Sequence, residues 1–430
     1  MVESKKGILN FYFKSNLLVR ILIGLILGAI FGMIFQNATS AIEILKPFGD
    51  VFIRLLKMIM IPVIVCTLIV GASSISPAHL GKVGVKIIAF YMATSLCAIV
   101  IGLFVGSVLQ PGIGLELAHI AGVAKEAKSP GLVEILLNII PTNPFGSIAN
   151  AEVLPTICFC LFFGIALAFC KDSESQAVRN AADNVYLFFE GMSSVMFKVV
   201  GWVMQYAPIG VFALIFIVFS KSGAEAFGPL ANVTLSLYIG LALQISLVYC
   251  VACLFVGLNP LIFIRKVRPP MITAFVTRSS GATLPVSMET AEKDMGVPRS
   301  IYGFTLPVGA TINMDGTTIY LGVCAIFIAN VVGMPLDFAQ QLTVVITALL
   351  ASIGTAGVPG AGAIMLLMVL ESVGLKVEAG SVIAIAYGMI LGIDAILDMG
   401  RTSMNVVGDM MGAVFVAKSE RELDEEIWNS

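Results

Sequence analysis

Histidine and tryptophan are almost missing from this 430-residue chain, two of each, and charged residues make up only 12% of it, about half the share of a soluble domain. The two histidines, His79 and His119, stand alone in polar connections and suit a plain surface role. No His-Glu-x-x-His, Gly-x-Ser-x-Gly or Gly-x-Gly-Asp motif occurs, so an enzyme working inside a membrane would have no nucleophile or metal set to use. Long runs of one charge sign are also missing. With 25 basic and 27 acidic residues and a net charge of −2, nothing offers nucleic acid a footing. The eight cysteines lie almost entirely inside apolar segments, and Cys250-x-x-Cys253 has no histidine nearby to complete a metal site, which favours core packing.

What is present in excess is apolar surface. Hydrophobic residues make up 58% of the chain and mean hydropathy is +0.99, values that a water-soluble fold does not tolerate. Apolar stretches near the roughly 20 residues needed to cross a bilayer recur along the whole length. They run over 17–35, 48–72, 83–109, 132–170 (broken by Pro141, Pro144 and Pro155), 185–219 and 233–256. The first is too long for a cleaved signal and reads as a spanning helix. Basic residues at Lys5, Lys6 and Lys14, at Lys82 and Lys86, at Lys171 and Arg179, and at Arg265, Lys266 and Arg268 fall on one side. That bias predicts cytoplasmic termini, with Lys125, Lys128 and Lys221 as exceptions on the other face.

Beyond residue 258 the pattern changes, because polar and glycine-rich clusters now sit inside apolar segments instead of between them. Thr277-Arg-Ser-Ser-Gly-Ala-Thr-Leu-Pro285 and Ser352-Ile-Gly-Thr-Ala-Gly-Val-Pro359 each interrupt a stretch too short per half to span twice, and both read as re-entrant hairpins. Non-helical backbone survives at membrane depth only where protein or a watery cavity covers it, so both tips should face a site. Each hairpin is followed by a long apolar segment carrying polar residues, a repeated arrangement characteristic of secondary transporters.

The last segment concentrates the chemistry. Asp394, Asp398, Arg401, Asn405 and Asp409 are spaced so that a helix confines them to an arc of about 80°. Left facing lipid, the four charges and Asp315 would cost about 12–17 kcal/mol on insertion scales. A structural ion-pair ladder is the plain reading. Three acids against one base leave surplus negative charge, which Asp315 increases, so a cation is needed for balance. Asp and Asn oxygens beside broken-helix carbonyls suit sodium, while the planar fork of Arg401 matches a carboxylate. Asn313-Met-Asp-Gly-Thr317 is helix-breaking by composition; beyond a simple kink, an unwound segment there would turn carbonyls toward an ion. A passive channel could use the same stripe.

These three motifs, Asn313-Met-Asp-Gly-Thr317, Ser352-Ile-Gly-Thr-Ala-Gly-Val-Pro-Gly-Ala-Gly362 and Asp394-Ala-Ile-Leu-Asp-Met-Gly-Arg-Thr402, resemble the glutamate transporter (dicarboxylate/amino acid:cation symporter) family over nearly the whole chain. Arg278 in the first hairpin and Met399 in the last span resemble its prokaryotic sodium/aspartate symporters. The resemblance implies an all-α polytopic membrane protein of eight transmembrane helices and two re-entrant hairpins, a homotrimer working as an elevator. Residues 1–75 and 130–225 would form the static trimerisation part, 76–129 and 226–417 the moving part, and 418–430 a cytoplasmic tail. The implied activity is sodium symport of aspartate or glutamate across the cell membrane, with C4-dicarboxylate or proton-coupled glutamate transport as the alternative. Asp398 argues against a substrate that lacks an amino group.

Carried over residue by residue, the resemblance assigns the substrate α-carboxylate to the Ser280 backbone and the Asn405 amide and the amino group to Asp398, with Ser279 also among the substrate-binding residues. The side-chain carboxylate would meet Arg401, Thr317 and the Gly362 backbone. Met314 and Thr402 would line the pocket, Val358 and Arg278 offer carbonyls, and Asp394 orient Arg401. One sodium would take Asp409 with carbonyls of Gly309, Asn313 and Asn405. A second would take carbonyls of Thr311, Ser352, Ile353 and Thr355, and a third Tyr91, Thr94, Ser95, Asn313 and Asp315. One departure is visible: Gly281 follows Ser279 and Ser280 where family members commonly carry a third serine, which would loosen the tip.

Overall fold

The computed structural model describes residues 17–73, 82–115, 137, 139–353 and 360–430; Lys5, Lys6, Lys14, His79, His119, Lys125, Lys128, Thr355 and Val358 lie outside them. Among the described residues the chain is all-helical. The apolar runs become α1 (Leu17–Ile34), α2 (Thr39–Ser73), α3 (Lys82–Leu109), α4 (Pro144–Ala149), α5 (Val153–Lys171) and α6 (Gln176–Ser222). The sixth run becomes α7 (Phe227–Leu243), a π turn over Gln244–Tyr249, and α8 (Cys250–Phe255). Helix α2 starts before the apolar run at residue 48 because its first turns carry Glu43 and Lys46, which hydropathy passes over. The proline-broken fourth run is divided by a short helix whose N-cap, Asn143, accepts a hydrogen bond from the Gly146 amide at 3.1 Å.

Six helical stretches among the described residues are long and apolar enough to cross a membrane. One of them, 80 residues from α6 to α8, would extend about 120 Å if straight, against a hydrocarbon core of about 30 Å. It breaks instead at a 3-10 turn, Gly223–Ala226, where Gly223 takes φ +57°. Large apolar side chains face outward along these helices, Phe255 82% and Phe162 70% exposed, a surface that suits lipid and not water.

The C-terminal half supplies α9 (Pro260–Lys266), α10 (Arg268–Thr277), α11 (Ser280–Lys293), α12 (Arg299–Ile312), α13 (Asp315–Val331), α14 (Phe338–Ser352), α15 (Ala361–Ser372), α16 (Val382–Ser419) and α17 (Glu425–Asn429). The first polar cluster expected to be a hairpin tip falls at a helix break, with α10 and α11 packed together across Arg278 and Ser279. Of the second, residues 354–359 lie outside the described residues; α14, ending at Ser352, packs on α15, which begins at Ala361.

Packing sorts the helices into two sets. Helices α1, α2, α5 and α6 pack chiefly on one another; α3, α7 and α10–α13 pack around α16, with α14 and α15 against α13. In the first set Gly24, Gly28 and Gly32, one turn apart on α1, lie against the α6 backbone. A Cβ at Gly28 would stand 2.7 Å from the Phe212 carbonyl oxygen, so only a missing side chain lets the helices approach this closely. In the second set α13 is buried at every residue but Asn330 and, beyond its polar first turn, apolar nearly all round, the pattern of a helix wrapped by others. The tail helix α17 docks through the buried Trp428 and through Lys266, whose ammonium donates to the Asp294 carbonyl at 2.7 Å and the Ile427 carbonyl at 2.6 Å.

Candidate functional site

The polar stripe of α16 lies inside the second set with its charges satisfied largely by one another. Arg401, 2% exposed, donates from Nη1 to Asp394 Oδ1 at 2.8 Å and from Nε to Asp398 Oδ1 at 3.0 Å. Thr402 adds a 2.9 Å bond to the same Asp398 oxygen. The guanidinium carbon sits 4.4 Å from the centre of the Tyr320 ring, a cation–π contact that a buried arginine favours. Gly362, at the start of α15, lies so close beneath the fork that any Cβ there would fall on it. The other Asp398 oxygen, Oδ2, is buried with no hydrogen-bond partner among the described residues. Arg278 at the first hairpin tip approaches it at 3.9 Å.

The break between α12 and α13 is a true interruption: Asn313 has φ −88° and ψ 97°, and Met314 φ −120° and ψ 45°. Met314 occupies the N-cap position of α13 and has no oxygen to offer the first amides. Asn405 does that work from α16, its Oδ1 accepting from the Gly316 amide at 2.8 Å and the Thr317 amide at 3.2 Å, the role an N-cap side chain ordinarily plays locally. Its amide nitrogen reaches Thr317 Oγ1 at 3.1 Å and the Met314 sulfur at 3.1 Å. Gly316 permits this, since a Cβ there would collide with the Arg401 backbone.

Below this level lie two buried carboxylates. Asn313 Nδ2 donates to Asp409 Oδ1 at 3.0 Å and to the Asn405 carbonyl at 3.1 Å. Its own Oδ1 is buried without a hydrogen-bond partner. Gly309 completes this group: a Cβ built on it would stand 2.5 Å from Asp409 Oδ1 and 2.6 Å from the Tyr91 hydroxyl. On the facing side Ser95 donates to Asp315 Oδ1 at 2.6 Å, and Asp315 Oδ2 receives Tyr249 at 2.7 Å and Gln244 at 3.1 Å. Tyr91 donates to the Thr305 carbonyl at 3.0 Å, and the Thr94 hydroxyl bonds back to Tyr91 at 3.2 Å.

The expected residues therefore fall into groups. Arg278, Asp394, Asp398, Arg401, Thr402 and Gly362 meet around the guanidinium; Met314, Thr317 and Asn405 meet at the start of α13; Gly309, Asn313 and Asp409 meet below, and Ser95 meets Asp315. Ser279 caps α11 by accepting from the Ala282 amide at 3.2 Å, and the Ser280 hydroxyl is buried with no hydrogen-bond partner. Thr311 and Ser352 satisfy their hydroxyls within their own helices, at Val308 and Leu349, and Ile353 follows at the end of α14. Sequence reasoning passed over Gln244, Tyr249, Tyr320 and Tyr387, the last of which donates its hydroxyl to the Ala363 carbonyl at 2.7 Å. For Gln244 a signal existed, as an amide in an otherwise apolar run; the tyrosines sit in such runs without any pattern to mark them.

Two electrostatic features follow. The N-termini of α11, α13 and α15 all reach this centre, and the partial positive charge of a helix start favours an anion. The buried acids Asp315, Asp394, Asp398 and Asp409 outnumber Arg401 and Arg278 by two, a deficit that cations relieve. A cavity of about 260 Å³, bordered by Arg278, Gly360, Ala363 and Asp394 from the second set and by residues of α1, α2 and α6 from the first, opens onto the guanidinium's partner.

In a helical membrane protein, a cavity leading to a buried, charge-lined centre suits the passage of a charged solute. Residues 17–419 match the sodium:dicarboxylate symporter family, and the chain belongs to that family. It is 36% identical over 422 residues, 96% of both chains, to a proton/sodium-glutamate symport protein of Geobacillus stearothermophilus. It is 35% identical over 396 residues to the proton/glutamate-aspartate symporter of Escherichia coli K12, covering 90% of this chain and 87% of that one. A C4-dicarboxylate transport protein of Bacillus subtilis is 31% identical over 388 residues, 89% of each. The family consists of transporters, not enzymes.

Proposed function

We propose that the chain imports an acidic amino acid, aspartate or glutamate, by sodium symport across the cell membrane. The observation that carries this reading is the Arg401 centre: one guanidinium flanked by Asp398, whose second oxygen is buried and unbonded, with helix starts arranged around it. A substrate carboxylate suits the fork and the helix N-termini. Its ammonium group suits Asp398, whereas a C4-dicarboxylate has nothing to offer that oxygen. The substrate-facing residues are those expected from the resemblance: Arg278, Ser279, Ser280, Met314, Thr317, Val358, Gly362, Asp394, Asp398, Arg401, Thr402 and Asn405.

Sodium is a co-substrate in this scheme. The unbonded Asn313 Oδ1 beside Asp409 supplies a buried lone pair of the kind a hard cation takes. Asp409, Asn313, Gly309 and Asn405 would hold one ion. Asp315, Ser95, Thr94, Tyr91 and Asn313 would hold another, and the carbonyls of Thr311, Ser352, Ile353 and Thr355 a third. Charge balance favours this count. With all four acids ionised the centre is short of two positive charges, and an acidic amino acid adds one more negative. Three sodium ions with one monoanion carry two net charges inward, a drive of about 4–5 kcal/mol per 100 mV.

The packing division suggests how the site moves. Helices α1, α2, α5 and α6 would be the static, trimer-forming part of a homotrimer, and α3, α7 and α10–α16 the elevator, eight spans and two hairpins in all with both termini cytoplasmic. Closure of the second hairpin at Gly360–Gly362 over the substrate would complete the pocket before movement. The test is radiolabelled aspartate uptake into proteoliposomes under an imposed sodium gradient, with glutamate, succinate and neutral amino acids as unlabelled competitors. Concentrative, sodium-dependent uptake blocked by glutamate is expected. Uptake that persists without sodium, or that succinate blocks better than glutamate, overturns the proposal.

A further inference from the structure

We propose that Gln244 and Tyr249, brought onto one carboxylate oxygen by a π turn, are positioning residues for the cation subsite at Asp315. This rests on Asp315 being a cation ligand, as argued above. Both side chains are fully buried, and both donate to Asp315 Oδ2, Tyr249 at 2.7 Å and Gln244 at 3.1 Å. In an α-helix, residues five apart point about 140° away from each other. The π turn over Gln244–Tyr249 closes its hydrogen bonds five residues apart and so brings the two onto one face. An unbroken helix could present one of them to Asp315 but not both.

The orientation of the Gln244 amide is determined by its neighbours. Its nitrogen donates to Asp315 Oδ2 and, at 3.2 Å, to the Thr94 carbonyl. Both partners are acceptors, so the NH₂ end must face them. Tyr249 and Gln244 together use the lone pairs of Oδ2. That leaves Oδ1, which accepts from Ser95 at 2.6 Å, as the oxygen that Asp315 turns to an ion. Gln244 also ties α3 at Thr94 to α13 at Asp315, holding the two sides of the subsite in register. Gly408 makes room for the arrangement, since a Cβ there would stand 2.5 Å from the Tyr249 hydroxyl.

Full-length protein purified in detergent tests this without transport. Sodium is titrated in the absence of substrate and the rise in melting temperature gives a midpoint; a second midpoint comes from the sodium dependence of aspartate binding. Tyr249→Phe and Gln244→Met each raise both midpoints about tenfold, the low end for loss of an outer-shell partner, and aspartate affinity returns to the parent value at saturating sodium. If one variant does not fold, the other decides. A purely structural pair would lower the melting temperature equally with and without sodium and leave the midpoints in place; that result overturns the proposal. Asp315→Asn is the reference. Should it also leave the midpoints unchanged, the cation reading of Asp315 fails; should it raise them while the other two do not, only the positioning role fails.

Discussion

The two packing sets treat polarity in opposite ways. In α1, α2, α5 and α6 the close contacts are made by what is left out, as along Gly24, Gly28 and Gly32, where α1 meets the α6 backbone directly. Around α16 glycine serves a further purpose. Gly309, Gly316, Gly362 and Gly408 each face a polar group or polar backbone atom, namely Asp409, the Arg401 carbonyl, the guanidinium and the Tyr249 hydroxyl. Glycine thus lets helices pack in both sets, as at Gly102 against the Ile319 backbone, but around α16 it also lets charges approach backbone in this way. Damage to the first should register as lost stability, and damage to the second as lost recognition.

The largest effect that would break this contrast lies at Arg401. Arg401→Met should weaken aspartate binding by about 2–5 kcal/mol, the cost of truncating one partner of a buried charge pair. The rise in melting temperature with sodium should persist. Calorimetric titration at saturating sodium measures the affinity, and an unchanged value ends the anion-clamp reading. Next, Asp398→Asn should cost aspartate about 1.5–3 kcal/mol, the range for hydrogen bonds to charged groups, while affecting succinate much less. Equal losses for the two in competition uptake would leave Asp398 without an amino-group role.

In the apolar half, Gly28→Val should destabilise by about 1–3 kcal/mol through overpacking, seen as a lower melting temperature in detergent. Aspartate affinity at saturating sodium should stay at the parent value; a matching loss of affinity would dissolve the distinction between the halves. The smallest effect concerns the ion pair joining them. Lys57 on α2 lies 2.8 Å from Glu371 on α15, with the lysine about a third exposed, so Lys57→Met should be worth only about 0.2–1 kcal/mol. It is expected to change uptake rate by a few-fold and equilibrium affinity not at all.

Much of the site was legible because its residues are anomalous where they stand. Asp394, Asp398, Arg401, Asn405 and Asp409 are conspicuous in an apolar segment, and their spacing alone places them on one helical face. The break at Asn313 and the interruption at Arg278 and Ser279 could be read from residues that resist helix at membrane depth. What could not be read were partnerships between distant segments. Asn405 caps a helix that begins ninety residues before it. Nothing in the composition of the third apolar run marks Ser95; only the family resemblance grouped it with Asp315, and the fold sets the two 2.6 Å apart. The π turn at Gln244–Tyr249 has no compositional mark, since nothing in the Gln244–Tyr249 stretch resists an ordinary α-helix.

By itself the sequence determined the solvent, the helical class and the helix carrying the charges, because hydropathy, apolar run length and 3.6-residue periodicity act within a single segment. Tertiary structure alone decided which donor meets which carboxylate oxygen. Such bonds require helices far apart in the chain to approach within about 3 Å, and that distance is set by glycine contacts and by the turn of each helix, which no local pattern encodes.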